Sequence, residues 1–159
     1  MTDNQQPTGE RQFALQRIYL KDASFESPNT PDVFREQGEP QHALNLNTKV
    51  KTLGEDAYEV VLAVTVTTKV GDLTAFIVEV QQAGIFAIRG FPAEEIGPLL
   101  GAYCPNLLFP YVREAVSDLV TKGSFPQLVL QPVNFDALFA QHQQEMSQRA
   151  QTEGGPATH

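Results

Sequence analysis

The sequence has no tryptophan, a single cysteine at position 104, and only three histidines, spread over positions 42, 142 and 159. One cysteine excludes an intramolecular disulfide, leaves the fold to its apolar core, and fits a reducing compartment. Histidines this dispersed supply no metal-ligand spacing, so no metal is expected. Cys104 stands in GAYCPN at the entrance to a helix with no histidine near it in sequence. A thiol nucleophile needs a base or positive charge beside it, so a packed, inert thiol is expected. Also missing are the phosphate loop, the dinucleotide fingerprint and the nucleophile elbow, and the stretch GIFAIRGFP lacks the strand-turn-helix order they require. Glu94 and Glu95 are adjacent, and neighbours in a helix or strand do not face one another, so they read as a solvated acidic turn. No catalytic residue and no cofactor are expected.

Positive charge is scarce. Eleven Lys and Arg against nineteen Asp and Glu leave a formal charge of -8, which repels phosphate backbones and anionic lipid and favours basic protein surfaces. Nucleic acid is therefore not an expected partner. No apolar run is long enough to cross a bilayer, and MTDNQQPTGE has neither the basic nor the apolar segment of an export signal. A soluble, cytoplasmic chain without membrane insertion is the expectation.

What is present is one domain's worth of chain, 159 residues, enough to bury a core without staples. Residues 1–10 read as a flexible tail and 11–142 as the folded domain. Residues 143–159 read as a helix end and a second flexible tail, because AQTEGGPATH has almost no bulky apolar groups. Strand signals fall on Phe13 to Asp22, on Ala43 to Asn47, on the run from Tyr58 to Val70, and on Thr74 to Gln82. In the third of these, Val60, Leu62, Val64 and Val66 share one face and Val61, Ala63, Thr65 and Thr67 the other. Gly71 and Asp72 between the last two strands predict an antiparallel hairpin. Ser27 to Pro40, with three prolines and a glycine, reads as a crossover loop.

Two helices follow. From Leu107 to Val120 the apolar residues recur every four positions as a wide stripe, and Gly123 suits the C-terminal cap. The second starts at Asn134 as N-cap, with Val133 and Leu138 as a staple, and lines up Phe135, Leu138, Phe139, His142 and Met146 on one face. Strands first and helices after predict an α+β fold, a four-stranded antiparallel sheet with two helices on one face.

The residues alone leave three questions open. The wide helical stripe could cover its own sheet or also a second subunit. Phe25, Phe34, Tyr111 and Phe139 could be core or could line a groove for apolar segments. Asp22, Glu26 and Glu79 could be an acidic docking patch or merely a solvated face.

Five blocks, QRIYLKDASFESPN, YEVVLAVTVT, TAFIVEVQQAGIF, LGAYCPNLLFPYVRE and FPQLVLQPVNFDALF, resemble the SecB protein-export chaperone family in order and over most of the chain. The resemblance implies a homotetramer, a dimer of dimers, that binds unfolded precursor proteins without a cofactor and passes them to the SecA translocation ATPase. It further implies SecA contacts at Asp22, Glu26, Ile77 and Glu79, subunit assembly through Val78, Val80 and Gln82, and a client groove including Phe25, Phe34, Tyr111 and Phe139. The crossover loop departs from the family at Gly38, where a well-known form carries Trp.

Overall fold

The computed structural model describes residues 10–154; nearly all of the expected N-terminal tail (1–9) and the last five residues lie outside that part. Four strands form one antiparallel sheet: β1 (Gln12–Glu26), β2 (Gln41–Gly54), β3 (Ala57–Val70) and β4 (Leu73–Arg89), in the spatial order β1-β4-β3-β2. β3 and β4 take the centre because both faces of each are largely apolar or small, whereas β1 and β2 carry lysines and polar residues suited to an edge. The expected hairpin is there, Val70 opposite Leu73 across Gly71 and Asp72.

β3 ends at Val70 as expected, but the other three strands run past their expected ends. β1 continues through Ala23–Glu26 because β4 offers partners there, Glu26 pairing with Ile77 and Phe25 with Val78. β4 continues to Arg89 into the stretch GIFAIRGFP, since Gly84, Phe86 and Ile88 still alternate into the core. The crossover loop is as expected, with one short 3₁₀ turn over Asp32–Arg35 that buries Val33.

After β4 come a short helix α1 (Ala93–Pro98), one π-helical turn (Leu99–Tyr103), and the long helix α2 (Cys104–Lys122). α2 lays Cys104, Leu108, Val112, Val116 and Val120 on the sheet; all five are fully buried, as a strict four-residue repeat on a sheet-facing helix requires. They meet the inward rows Val60, Leu62, Val64 and Val66 of β3 and Phe76, Val78, Val80, Phe86 and Ile88 of β4, which together form the core. Gly123 closes α2 through its N–H to Leu119 O at 3.1 Å.

The segment from Ser124 to Asn134 is extended and tied to α2 by Arg113, whose Nε donates to Leu130 O at 2.8 Å while its guanidinium covers the Phe109 ring. It leads into α3 (Phe135–Glu153), capped as expected by Asn134, whose Oδ1 accepts from the Ala137 N–H at 3.0 Å. Only Phe135 of α3 is buried, edge-on against Phe109 at 5.6 Å. α3 therefore rests on the π turn rather than on the sheet. Four residues expected in the tail, 150–153, are helical; Ala and Gln are good helix formers, which keeps the last turn intact.

Candidate functional site

Because α2 lies over β4 and β3 and reaches β1 on the inner face, β2 is left with its inward row uncovered by it. The residues His42, Leu44, Leu46, Thr48 and Val50 alternate onto that side, each opposite an inward residue of β3. Leu44 and Val50 stay nearly half exposed, at 46% and 45%. α3 stands off this floor and encloses with it a cleft of about 690 Å³. Leu44, Leu46 and Val50 form one wall, and Phe135, Leu138 and Phe139 the other, with His142 and Glu145 at the rim.

Phe139 is held by contact with Gly101 in the π turn, where a Cβ would come within 2.3 Å of its ring. Only glycine admits the ring at that distance, so Gly101 sets how far α3 sits from β2.

At the other end of β2 the crossover loop folds back on the start of the post-α2 segment. Phe34 stacks obliquely on Phe125 at 5.3 Å, Phe125 on Phe76 at 5.0 Å, and Phe76 on Phe25 at 5.8 Å. Phe34 is 51% exposed while Phe76 is buried, so the cluster runs from core to surface. A small cavity of about 80 Å³, bordered by His42, Phe76, Phe125 and Leu128, lies beside it, and the His42 ring nitrogen Nδ1 and Thr68 Oγ1 are 2.7 Å apart at its edge. His42 borders this cavity and Leu44 the cleft, two residues apart on the same strand row, so the two depressions adjoin along one edge strand.

The opposite, outward face of the sheet is bare. Its rows at one end read Glu26, Ile77, Thr67 and Ala43, then Ser24, Glu79, Thr65 and Asn45, then Asp22, Gln81, Ala63 and Asn47. The chain neighbours Val78, Val80 and Gln82 point the other way and are buried at 0%, 0% and 5%. Further along, Glu59 accepts hydrogen bonds from Tyr19 Oη and, at 2.9 Å, from Lys21 Nζ. These bonds hold the Glu59 carboxyl below its ordinary pKa, and burial followed by the Glu59 contact pushes Tyr19 up to about 12.

The structure thus brings Asp22, Glu26, Ile77 and Glu79 together on one face of two adjacent strands. It places Val78, Val80 and Gln82 beneath α2. The four aromatic candidates separate: Phe25 and Phe34 join the cluster through Phe125, Phe139 lines the cleft, and Tyr111 lies 48% exposed on the open flank of α2 with Tyr103. The sequence reading missed Phe76 and Phe125 as cluster members and Leu44 and Leu46 as the cleft floor. Alternation already put Leu44 and Leu46 on one face; that no helix covers them was the missing part.

Cys104 is fully buried, and burial pushes its thiol up to about 12, so it packs as an apolar group. Glu94 is exposed, and Glu95 pairs with Arg11 at 3.2 Å across a solvated surface. Among the described residues no cluster could hold a metal ion and no helix is long and apolar enough to cross a membrane.

An apolar depression along an edge strand and a polar, charged face behind it give this α+β domain two chemically distinct surfaces, the geometry of a binding module. Residues 4–146 match the family model described as preprotein translocase subunit SecB. The protein-export protein SecB of Methylococcus capsulatus is 58% identical over 156 residues, 98% of this chain and 97% of that one. The protein-export protein SecB of Marinobacter nauticus is 57% identical over 146 residues, 89% of this chain and 88% of that one. The chain belongs to the SecB family of protein-export chaperones. Its fold is shared with the Mycobacterium tuberculosis SecB-like chaperone Rv1957, solved in complex with a ChAD peptide from the Rv1956 HigA1 antitoxin, at a TM-score of 0.64 and 17% identity, covering 76% of this chain and 90% of that one.

Proposed function

We propose that this chain works in the cytoplasm as a homotetramer that captures precursor proteins before they fold and delivers them to the SecA ATPase. The observation that carries the reading is the uncovered inner face of β2, whose Leu44, Leu46 and Val50 face Phe135, Leu138 and Phe139 across an open cleft. Apolar side chains of an extended client gain about 25 cal/mol per Å² on burial there. The free edge of β2 offers backbone groups to the same segment. A folded protein hides both kinds of group, so slow-folding precursors are the ones captured. The Rv1957 peptide complex supports a peptide-binding use of this fold.

Phe25 and Phe34 extend the client surface at the crossover loop, Phe139 serves the cleft, and Tyr111 serves whichever surface covers the flank of α2. That flank, with Tyr103, Leu107, Tyr111, Ala115 and Leu119 at four-residue steps and none fully buried, together with the unpaired edge of β1, suits contact with a second subunit. Val78, Val80 and Gln82 act on assembly through α2: they set where the helix lies, and the helix presents the flank. SecA docks on the outward face at Asp22, Glu26, Ile77 and Glu79, in a contact that salt weakens over a screening length of about 8 Å.

Native mass spectrometry with an unfolded precursor tests the reading. A tetramer carrying one chain-length of client supports it, and an unchanged refolding rate of that precursor at stoichiometric excess of the chaperone refutes it.

A further inference from the structure

The outward face of the sheet carries a second charge cluster that client capture does not use. Two rows beyond Gln81, Arg17 of β1 stands opposite Ile85 of β4, which stands opposite Glu59 of β3, itself opposite Lys51 of β2. The row between holds Tyr19, Ala83, Val61 and Lys49. Arg17, Lys49 and Lys51 are exposed, and among the described residues none of them is within ion-pair distance of a carboxylate. The one carboxylate among them, Glu59, is only 13% exposed and already bound by Lys21 and Tyr19, and in the turn beyond Asp56 is taken by Arg89 at 3.3 Å while Glu55 is exposed. A chain with a net charge of -8 therefore gathers unpaired cations at one end of a face whose other end holds Asp22, Glu26 and Glu79.

Glu79 and Ile85 are six positions apart, about 20 Å at 3.3 Å per residue. The whole face, four strands at about 4.8 Å and some 26 Å along them, covers roughly 500 Å². A protein partner of ordinary size occupies about 800 Å² on each side, so one that sits on the acidic end also lies over the basic end. The middle strands carry only small or β-branched residues beside these charges, Thr67 and Thr65 at the acidic end, Ala63 in the middle row, and Val61 and Ala83 next to Lys49.

We infer that the outward face is a two-ended docking surface: its basic end, Arg17, Lys49 and Lys51, takes an anionic patch of the same partner whose cations meet Asp22, Glu26 and Glu79. The inference rests on the proposed SecA docking and adds what that docking leaves open, the direction in which the partner lies. Reversing the partner along the strands would set like charges against each other at both ends, which disfavours that orientation and leaves one.

The test measures SecA affinity for the full-length chain and its variants at low and physiological salt, with capture of an unfolded precursor as control. Lys49→Glu combined with Lys51→Glu is expected to weaken docking about tenfold at low salt and less at high salt, with client capture unchanged. Wild-type docking by this variant while Glu79→Lys is impaired would overturn the two-ended surface and leave acidic docking standing. Tighter docking by it would overturn the inference as well, since the partner would then present cations there. Unaltered docking by both variants would sink the SecA reading itself. If the double variant does not fold, Lys49→Gln and Lys51→Gln measured singly, each losing part of the affinity and part of the salt dependence, decide the same question.

Discussion

The two faces of β4 differ in almost every physical respect although they alternate residue by residue along one strand. Inward, Phe76, Val78, Val80, Phe86 and Ile88 are at most 2% exposed; outward, Ile77, Glu79, Gln81 and Ile85 are only partly covered. The inner face spends its chemistry on holding α2. The outer face, which packs against no helix, is free to carry charge, and the cleft along β2 exists because the inner cover stops one strand short. Core and candidate binding surfaces are thus divided by strand alternation and by how far one helix reaches.

Four substitutions probe that division, the first with the largest expected effect. Phe86→Ala on the inner side should lower unfolding free energy by about 3–5 kcal/mol, whereas Thr65→Ala on the outer side should stay within about 0.5 kcal/mol; chemical denaturation of both variants compares the faces directly, and equal losses would break the comparison. Gly101→Ala should cost about 1–3 kcal/mol through overpacking against Phe139. It should also speed hydrogen exchange in the first turns of α3, since the ring must leave its seat; unchanged exchange would mean that α3 is held elsewhere. Glu79→Lys should reduce SecA docking several-fold and leave the unfolding midpoint and subunit count unchanged.

A small, pH-dependent effect belongs to Glu59→Gln. The Glu59 carboxyl titrates in the folded chain below its ordinary 4.5, so its contribution is fully present above that value and is lost as pH falls through the folded one. At neutral pH the variant should be less stable by under about 1 kcal/mol, and the gap to wild type should close in denaturation curves taken at progressively lower pH below about 4.5.

Much of this architecture was legible in the residues, and the failures have physical causes. β3 and the start of β4 were plain because Val60, Leu62, Val64 and Val66 keep a two-residue period between turn residues. α2 and the Asn134 cap were plain for the same kind of reason. Strand ends were not: Ala23 and Ser24, or Lys49 and Lys51, have little strand preference of their own and extend only because β4 and β3 hold ladder partners for them. The pairing of β1 with β4 joins segments about sixty residues apart, which no local pattern encodes. Among site residues, face assignment followed from alternation, so Ile77 and Glu79 separated correctly from Val78 and Val80. The gathering of Phe25, Phe34 and Phe76 around Phe125 depends on a loop folding back on a segment a hundred positions later.

The strand order also governs how this chain emerges during synthesis. β1 is made first but its hydrogen-bonding partner is the last strand, β4, so on the ribosome Gln12–Glu26 stays unpaired until Leu73–Arg89 has left the exit tunnel. Through that interval β2 and β3 can close their own hairpin, while the first strand remains an exposed ribbon. Sheet completion is a late, long-range event that must outrun capture of that ribbon by other nascent chains. A chaperone of unfolded chains is itself, for the length of sixty codons, in the condition of its clients.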